Sequence, residues 1–162
     1  MIELLDGAKT VPTAVGLGLV ISLIFSEAFG LAAGGMVVPG YLALALGEPW
    51  RVVGTIGAAI ITFLIVRLMG QFMLLYGRRH LVMVILIGFV IGHLTRVVFG
   101  RPEIPELLSF EAIGYVIPGL MAYWMERQGA FTTLMAMIMA STLVRLILMV
   151  GTGGAPIEIP TW

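Results

Sequence analysis

Long apolar runs are the feature that most constrains how this chain can fold. Four of them recur along the sequence: Val11–Phe25, Val52–Tyr76, Leu81–Phe99 and Ala130–Val150. Each approaches or exceeds the roughly 20 residues that an α-helix needs to cross about 30 Å of hydrocarbon. Transmembrane β-strands would instead alternate polar and apolar residues over about ten positions, a pattern that this sequence lacks. The runs therefore predict an all-α, multi-pass integral protein of the cell membrane.

Composition narrows the function classes. Charged residues make up 11% of the chain against 60% hydrophobic residues, too little charge to cover a soluble domain. The absence of cysteine excludes disulfides and thiolate sites. No phosphate-binding P-loop, nucleophile elbow, HExxH motif or basic stripe occurs. We expect one transmembrane domain over residues 1–162, with no cofactor, metal or nucleic-acid site of its own.

Two shorter apolar segments, Leu31–Gly47 and Ala112–Met125, each contain a Pro-Gly pair. Proline inside a helix costs about 3 kcal/mol, because it lacks the N–H and clashes with the preceding turn. Within a membrane, broken backbone is tolerated only where protein buries it or where it lines a wet cavity. The segments are therefore predicted to be half-helices or re-entrant segments that shape a path. A plain helix-hairpin turn is the alternative. The residues concerned are Pro39, Gly40, Tyr41, Pro118 and Gly119.

The order of these segments predicts an internal repeat of about 79 residues. Each half has two long spans flanking one Pro-Gly segment, with the first repeat at about 11–77, the second at about 81–151 and a flexible tail at 152–162. Matching interrupted segments in two halves point to a site near the membrane midplane. If both broken segments cross the membrane, the repeats are inverted. If both re-enter, each half has two crossings. The distribution of basic residues favours neither arrangement.

Five ionisable residues fall within the apolar segments. A charge at the bilayer centre costs about 2.5–3.5 kcal/mol on insertion scales, so such residues usually face protein or water. One acid against three arginines gives a net positive interior, and arginine binds carboxylates through two parallel hydrogen bonds. Long side chains that snorkel to the interface are the alternative. The five residues are Glu27, Arg67, His93, Arg96 and Arg145.

Five motifs follow one another along the chain: IFSE (Ile24–Glu27), GMVVPGYLAL (Gly35–Leu44), LYGRRHL (Leu75–Leu81), IGYVIPGLMA (Ile113–Ala122) and RQG (Arg127–Gly129). Together they resemble one known family, the C subunit of the poly-γ-glutamate capsule machinery (CapC/PgsC type). The resemblance runs from about residue 13 to about residue 135. The loop at 100–111, the span containing Arg145 and the tail match no motif of the family.

The resemblance implies a membrane complex that joins glutamates through γ-carboxyl amide bonds and exports the polymer. It implies a cytoplasmic amide ligase similar to Mur ligases, which would hold the ATP and metal, and a further membrane-anchored subunit. This chain would be an accessory subunit that docks the ligase and assists polymerisation or translocation; its catalytic residues, if any, are unknown. The residues expected at the cytoplasmic face for docking are Tyr76, Arg78, Arg79, Arg127 and Gln128.

Two other functions stay open on the residues alone. An inverted repeat is also typical of a stand-alone transporter or channel for small carboxylates. A purely structural assembly subunit would need no polymer path.

Overall fold

The computed structural model describes residues 2–72, 78–99 and 113–151, and these residues form helices without a strand. The helices are α1 (Ile2–Phe29), α2 (Val38–Ala45), α3 (Pro49–Phe72), α4 (Arg78–Phe99), α5 (Ile117–Gln128) and α6 (Ala130–Gly151). Four of them, α1, α3, α4 and α6, are long and apolar enough to cross a membrane. The predicted all-α fold is confirmed, and the four long apolar helices agree with the predicted membrane protein. Tyr76, the whole loop at 100–112 and the tail at 152–162 lie outside the described residues.

Each Pro-Gly pair stands at the beginning of a short helix. Pro39 and Pro118 occupy the first turn of α2 and α5, where the missing N–H of proline has no helical partner to lose. Non-helical chain precedes both helices, at 30–37 and 113–116. The interpretation of Val-Pro-Gly as a hairpin turn between helices is therefore wrong. At 8 and 12 residues, the short helices extend about 12 and 18 Å, less than a bilayer requires.

Glycine brings each short helix into backbone contact with a long one. A Cβ placed on Gly18 of α1 would lie 2.6 Å from the Cα of Gly40 in α2. A Cβ placed on Gly88 of α4 would lie 2.3 Å from the Cα of Gly119 in α5. Neither site has room for a side chain, so the glycines set the close packing of α2 on α1 and of α5 on α4.

The chain that follows α1 returns along it. The Ser22 hydroxyl donates a hydrogen bond to the Gly35 carbonyl at 3.3 Å. Gly40 lies further towards the start of α1, against the backbone of Ala14 and Val15. Residues 30–45 therefore run antiparallel to α1.

The second half follows the same course beside α4. Gly92 lies against the backbone of Tyr115, and Gly119 lies against Ile85, nearer the start of α4. Residues 113–128 therefore run antiparallel to α4.

The last helix of each half packs beside the other half. α3 packs against α4 and α5, whereas α6 packs against α1 and α2 and also against α5 of its own half. The two short helices meet in an apolar cluster that includes Val38 and Leu42 of α2 and Ile117 and Met121 of α5. The middle of the described bundle is thus closely packed and apolar.

Three contacts define the ends of the bundle. The Gln128 side chain at the end of α5 bonds to Ala32, just beyond α1, and His80 at the start of α4 pairs with Glu126. We call this the linker end, because α4, the helix that follows the linker between the two predicted repeats, begins there. At the opposite end, the Ile113 amide bonds to Thr55, near the start of α3. Since α1 ends where α4 begins, these two helices run in opposite directions.

Candidate functional site

A group of polar and aromatic side chains lies at the linker end. We call it the linker-end cluster, and it consists of His80, Tyr123, Trp124, Glu126 and Arg127. His80 Nε2 lies 3.0 Å from a Glu126 carboxylate oxygen, and its ring lies 6.1 Å from that of Tyr123. The cluster joins the first turn of α4 to the last turns of α5.

Arg127 is seated on two aromatic rings. Its guanidinium donates to the Tyr123 hydroxyl at 3.2 Å, and its central carbon lies 5.7 Å from the Tyr123 ring and 5.9 Å from the Trp124 ring. Spacings of three and four residues place side chains on one helix face, which explains why these three meet. A cation in the last turn also interacts favourably with the helix dipole. Arg127 remains exposed, so its charged group is accessible to a ligand or a partner.

Gln128 points inward and holds the non-helical chain after α1. Its amide oxygen accepts from the Ala32 N–H at 3.0 Å, and its amide nitrogen donates to the Ala32 carbonyl. The same nitrogen donates to the Thr133 hydroxyl at 3.1 Å, which in turn donates to the Gly129 carbonyl at 2.8 Å. Gln128 thus joins the end of α5, in the second half, to the non-helical chain of the first half.

Gly129 makes this arrangement possible. It has φ of +96°, a conformation that side-chain-bearing residues rarely adopt, and its N–H donates to the Met125 carbonyl at 3.0 Å. α5 therefore ends abruptly and α6 starts at the next residue. In the RQG motif, the arginine faces outward, the glutamine faces inward and the glycine makes the turn.

At the opposite end, a hydroxyl holds the second non-helical segment. Thr55 accepts from the Ile113 N–H at 2.9 Å and donates to the Arg51 carbonyl at 2.7 Å. Arg51 itself pairs with Glu48 at 3.1 Å. Like Gln128, Thr55 belongs to one half and fixes the non-helical chain of the other.

Tyr115 packs on one face of α4. Its ring lies 4.5 Å from the central guanidinium carbon of Arg96, 5.4 Å from the ring of Phe89 and 6.0 Å from that of His93. His93 and Arg96 are three residues apart and share a helix face, with Tyr115 as their common neighbour.

The predicted intramembrane charges lie towards the helix ends. Glu27, Arg67 and His93 are exposed, and Arg96 and Arg145 are half-buried. Each is within about two turns of a helix terminus. Arg67 also lies 5.8 Å above the Phe63 ring. These positions allow the arginines to reach an interface and leave the middle of the described bundle without a charged side chain.

The predicted docking residues have different surroundings. Arg79 and Arg127 are exposed at the linker end, whereas Gln128 is turned inward. Arg78 begins α4, but its side chain lies outside the described residues, as does Tyr76. Within the described ranges, no group of three or more His, Asp or Glu side chains could hold a metal ion.

Sequence reasoning missed the aromatic rings beneath Arg127, assigned Gln128 to a docking surface instead of to the segment that it holds, and gave Thr55 no role. The spacing of Tyr123, Trp124 and Arg127 could have indicated the contact with the rings, because residues three and four apart share a helix face. Nothing in the local sequence marks Thr55, because its partner Ile113 lies 58 residues away.

Comparisons with known proteins agree on one family. The family model described as "Capsule biosynthesis CapC" matches residues 17–134. A "Capsule biosynthesis protein CapC" from Bacillus anthracis is 37% identical over 130 residues, covering 79% of this chain and 86% of its own length. A "PGA biosynthesis protein CapC" from Bacillus subtilis (strain 168) is 36% identical over 122 residues, covering 74% of this chain and 80% of its own. No solved structure matches this chain.

Proposed function

Because this chain belongs to the capsule biosynthesis CapC family, we propose that it is a membrane subunit in the synthesis and export of poly-γ-glutamate. It docks a cytoplasmic, ATP-dependent amide ligase of the Mur-like type and, with a further membrane-anchored subunit, passes the growing polyanion across the bilayer. In this role it is an accessory subunit, and ATP and metal are held by the ligase.

The observation that carries the proposal is the linker-end cluster. Exposed Arg79 and Arg127 stand there beside the start of α4, which carries a third arginine, Arg78, in sequence. Short loops rich in arginine lie on the cytoplasmic side of membrane proteins, so this end is expected to face the cytoplasm. A cytoplasmic ligase and a newly made polyanion would both meet a basic surface at this position.

We further propose that the two halves are an inverted structural repeat in which each broken segment crosses the membrane together with its non-helical approach. Three pairs of features support this. Gly18 and Gly88 make the same kind of backbone contact, α1 and α4 run in opposite directions, and α3 and α6 each pack against helices of the other half. Each half then has three crossings, and Arg127 lies on the side of Arg79.

In this arrangement the Pro-Gly residues shape the path indirectly. Pro39, Gly40, Pro118 and Gly119 are buried in backbone contacts, so they fix the direction of α2 and α5 instead of touching polymer. Tyr41 is packed against the apolar cluster between the short helices. A hydrated route for the polymer would therefore be completed by partner subunits.

Neutralising the linker-end arginines tests the function. We expect Arg78→Gln combined with Arg79→Gln to reduce cell-surface polymer and the amount of ligase that copurifies with the chain. Arg51→Gln at the opposite end is the matched control. If the double variant leaves polymer synthesis, export and ligase copurification unchanged, the docking role is wrong.

Because the chain has no cysteine, single cysteines can test the crossing topology. Glu126→Cys and Glu48→Cys should react with an impermeant maleimide from opposite sides of the membrane. Labelling from the same side would overturn the crossing arrangement. Transport of small carboxylates by the purified chain alone in liposomes would instead favour a stand-alone transporter.

A further inference from the structure

We propose that Arg127 is a carboxylate-binding residue that grips the free α-carboxylates of poly-γ-glutamate at the linker end. The inference rests on the proposed function, because it takes the polymer as the ligand. It goes beyond general docking by naming one side chain, one ligand group and the geometry that prepares the contact.

The first step is that the Arg127 guanidinium is held in place before any ligand arrives. One nitrogen donates to the Tyr123 hydroxyl at 3.2 Å, and the rings of Tyr123 and Trp124 lie within 6 Å of its central carbon. Guanidinium groups stack on aromatic rings in this way and remain fully charged. A guanidinium group that is already held in place, with its paired N–H donors forming a fork, loses less conformational entropy on binding than a free side chain does.

The second step concerns charge. The neighbouring carboxylate, Glu126, is engaged by His80 at 3.0 Å, and adjacent residues on a helix do not face each other. No ion pair joins Arg127 to a carboxylate among the described residues. By contrast, Arg51 at the opposite end has its own carboxylate partner at 3.1 Å. The two arginines therefore differ in whether the chain itself supplies an anion.

The third step is the position of the site. Arg127 is exposed at the end of the bundle, and Arg79 is exposed next to His80, a member of the same cluster. Two guanidinium groups at one end can meet successive carboxylates along a flexible chain. The repeated contact would give a polymer higher affinity than a single carboxylate would have.

The ligand class follows from geometry. A guanidinium binds a carboxylate by two parallel N–H···O bonds, which lysine cannot reproduce. Poly-γ-glutamate offers one such group on every residue. A lipid phosphate could occupy the same fork, so the experiment separates the two sources by the lipid used.

The experiment measures binding of a short fluorescent γ-linked glutamate oligomer to the purified full-length chain in zwitterionic nanodiscs. Charged hydrogen bonds contribute about 1.5–3 kcal/mol each, so Arg127→Gln should weaken binding about tenfold or more. Arg127→Lys, which keeps the charge and loses the fork, should restore part of the loss. Tyr123→Phe, which removes only the hydroxyl that fixes the fork, should weaken binding severalfold. Arg51→Gln is the matched control and should bind like the wild type.

Equal oligomer affinity for wild type and Arg127→Gln would overturn the inference. The inference would also be overturned if Arg127→Gln weakened only the binding of vesicles rich in phosphatidylglycerol, since that result would assign the guanidinium to lipid phosphate. If Arg127→Gln binds oligomer normally while the Arg78/Arg79 variant still loses the ligase, the proposed function stands and this inference falls. If cells lacking the chain still make and export polymer, the proposed function itself falls.

Discussion

The two non-helical segments, residues 30–37 and 113–116, both need hydrogen-bond partners from other elements, and different types of side chain supply them. Both lack the hydrogen bonds of a helix, and buried N–H and C=O groups need partners within the protein. The first is gripped through Ala32 by the Gln128 amide, which pairs with both backbone groups of one residue. The second is held by a single bond from Ile113 to Thr55, and by Tyr115 packed on α4.

This difference shows that the two halves resemble each other in how their helices pack. They differ in the side chains that hold their non-helical segments. Gly18 on Gly40 and Gly88 on Gly119 make the same kind of contact, which depends only on the absence of a side chain. Gln128 and Thr55 have no such likeness. The first segment is held by Gln128 of α5 and by Ser22 of α1, whereas the second is held by Thr55 of α3 and by Tyr115 packed on α4.

The largest expected effects come from the contacts that the halves share. Gly88→Ala and Gly18→Ala should each destabilise the protein by about 3 kcal/mol, because the new methyl group meets backbone and forces the helices apart. Thermal unfolding in detergent measures the change. Gly88→Ala should be the worse of the two, since its Cβ would come closer to the neighbouring backbone.

Gly16→Ala provides the control on the same helix. Nothing lies within 4 Å of a Cβ at that position, and alanine favours helix more than glycine does. Its stability should be unchanged or slightly raised. Similar losses at Gly16 and Gly18 would contradict the close backbone contact.

A smaller effect should separate the two segments. Gln128→Ala leaves the N–H of Ala32 without its bond and removes one from its carbonyl, so it should cost about 2 kcal/mol, against about 1 kcal/mol for Thr55→Val. Thermal unfolding again gives the magnitude, and hydrogen exchange should show faster opening at 31–35 in the Gln128 variant alone. Gln128→Glu keeps the acceptor for the Ala32 N–H and loses both donated bonds, so it should fall between wild type and alanine.

Thr142→Val is the comparison variant for these polar changes. Its hydroxyl is exposed and bonds only within α6, to the Ile138 carbonyl at 2.7 Å. The expected change is within about 0.5 kcal/mol. If Gln128→Ala lowers the free energy of unfolding no more than Thr142→Val does, Gln128 does not secure the first segment.

The smallest effect is expected at Tyr115. Tyr115→Leu removes the ring beneath Arg96 and should cost about 0.5–1 kcal/mol, as expected for a partly exposed cation–π contact. Tyr115→Phe keeps a ring and should lose less. Equal unfolding temperatures for the leucine variant and the wild type would show that Thr55 alone holds this segment.

The sequence predicted the long helices well and the site only in part. Apolar runs marked α1, α3, α4 and α6, because the length of hydrocarbon to be crossed fixes the length of the run. The sequence predicted breaks at the Pro-Gly pairs, and the structure places these pairs in the first turn of α2 and of α5. Their place at the start of short helices, with non-helical chain before them, depended on the glycine contacts with α1 and α4. Gln128 was assigned to an outer docking face, although its amide points to Ala32.

By itself, the sequence determined that this chain enters a membrane, where helices must form and where they must break, because hydrophobicity and backbone chemistry act locally. Tertiary structure decided that α3 and α6 each pack beside the other half, that Gln128 faces inward, and that Arg127 has no carboxylate partner among the described residues. The physical reason is that these features are contacts between residues on different helices or turns. A hydrogen bond across 96 residues has no signature in either stretch of sequence that makes it.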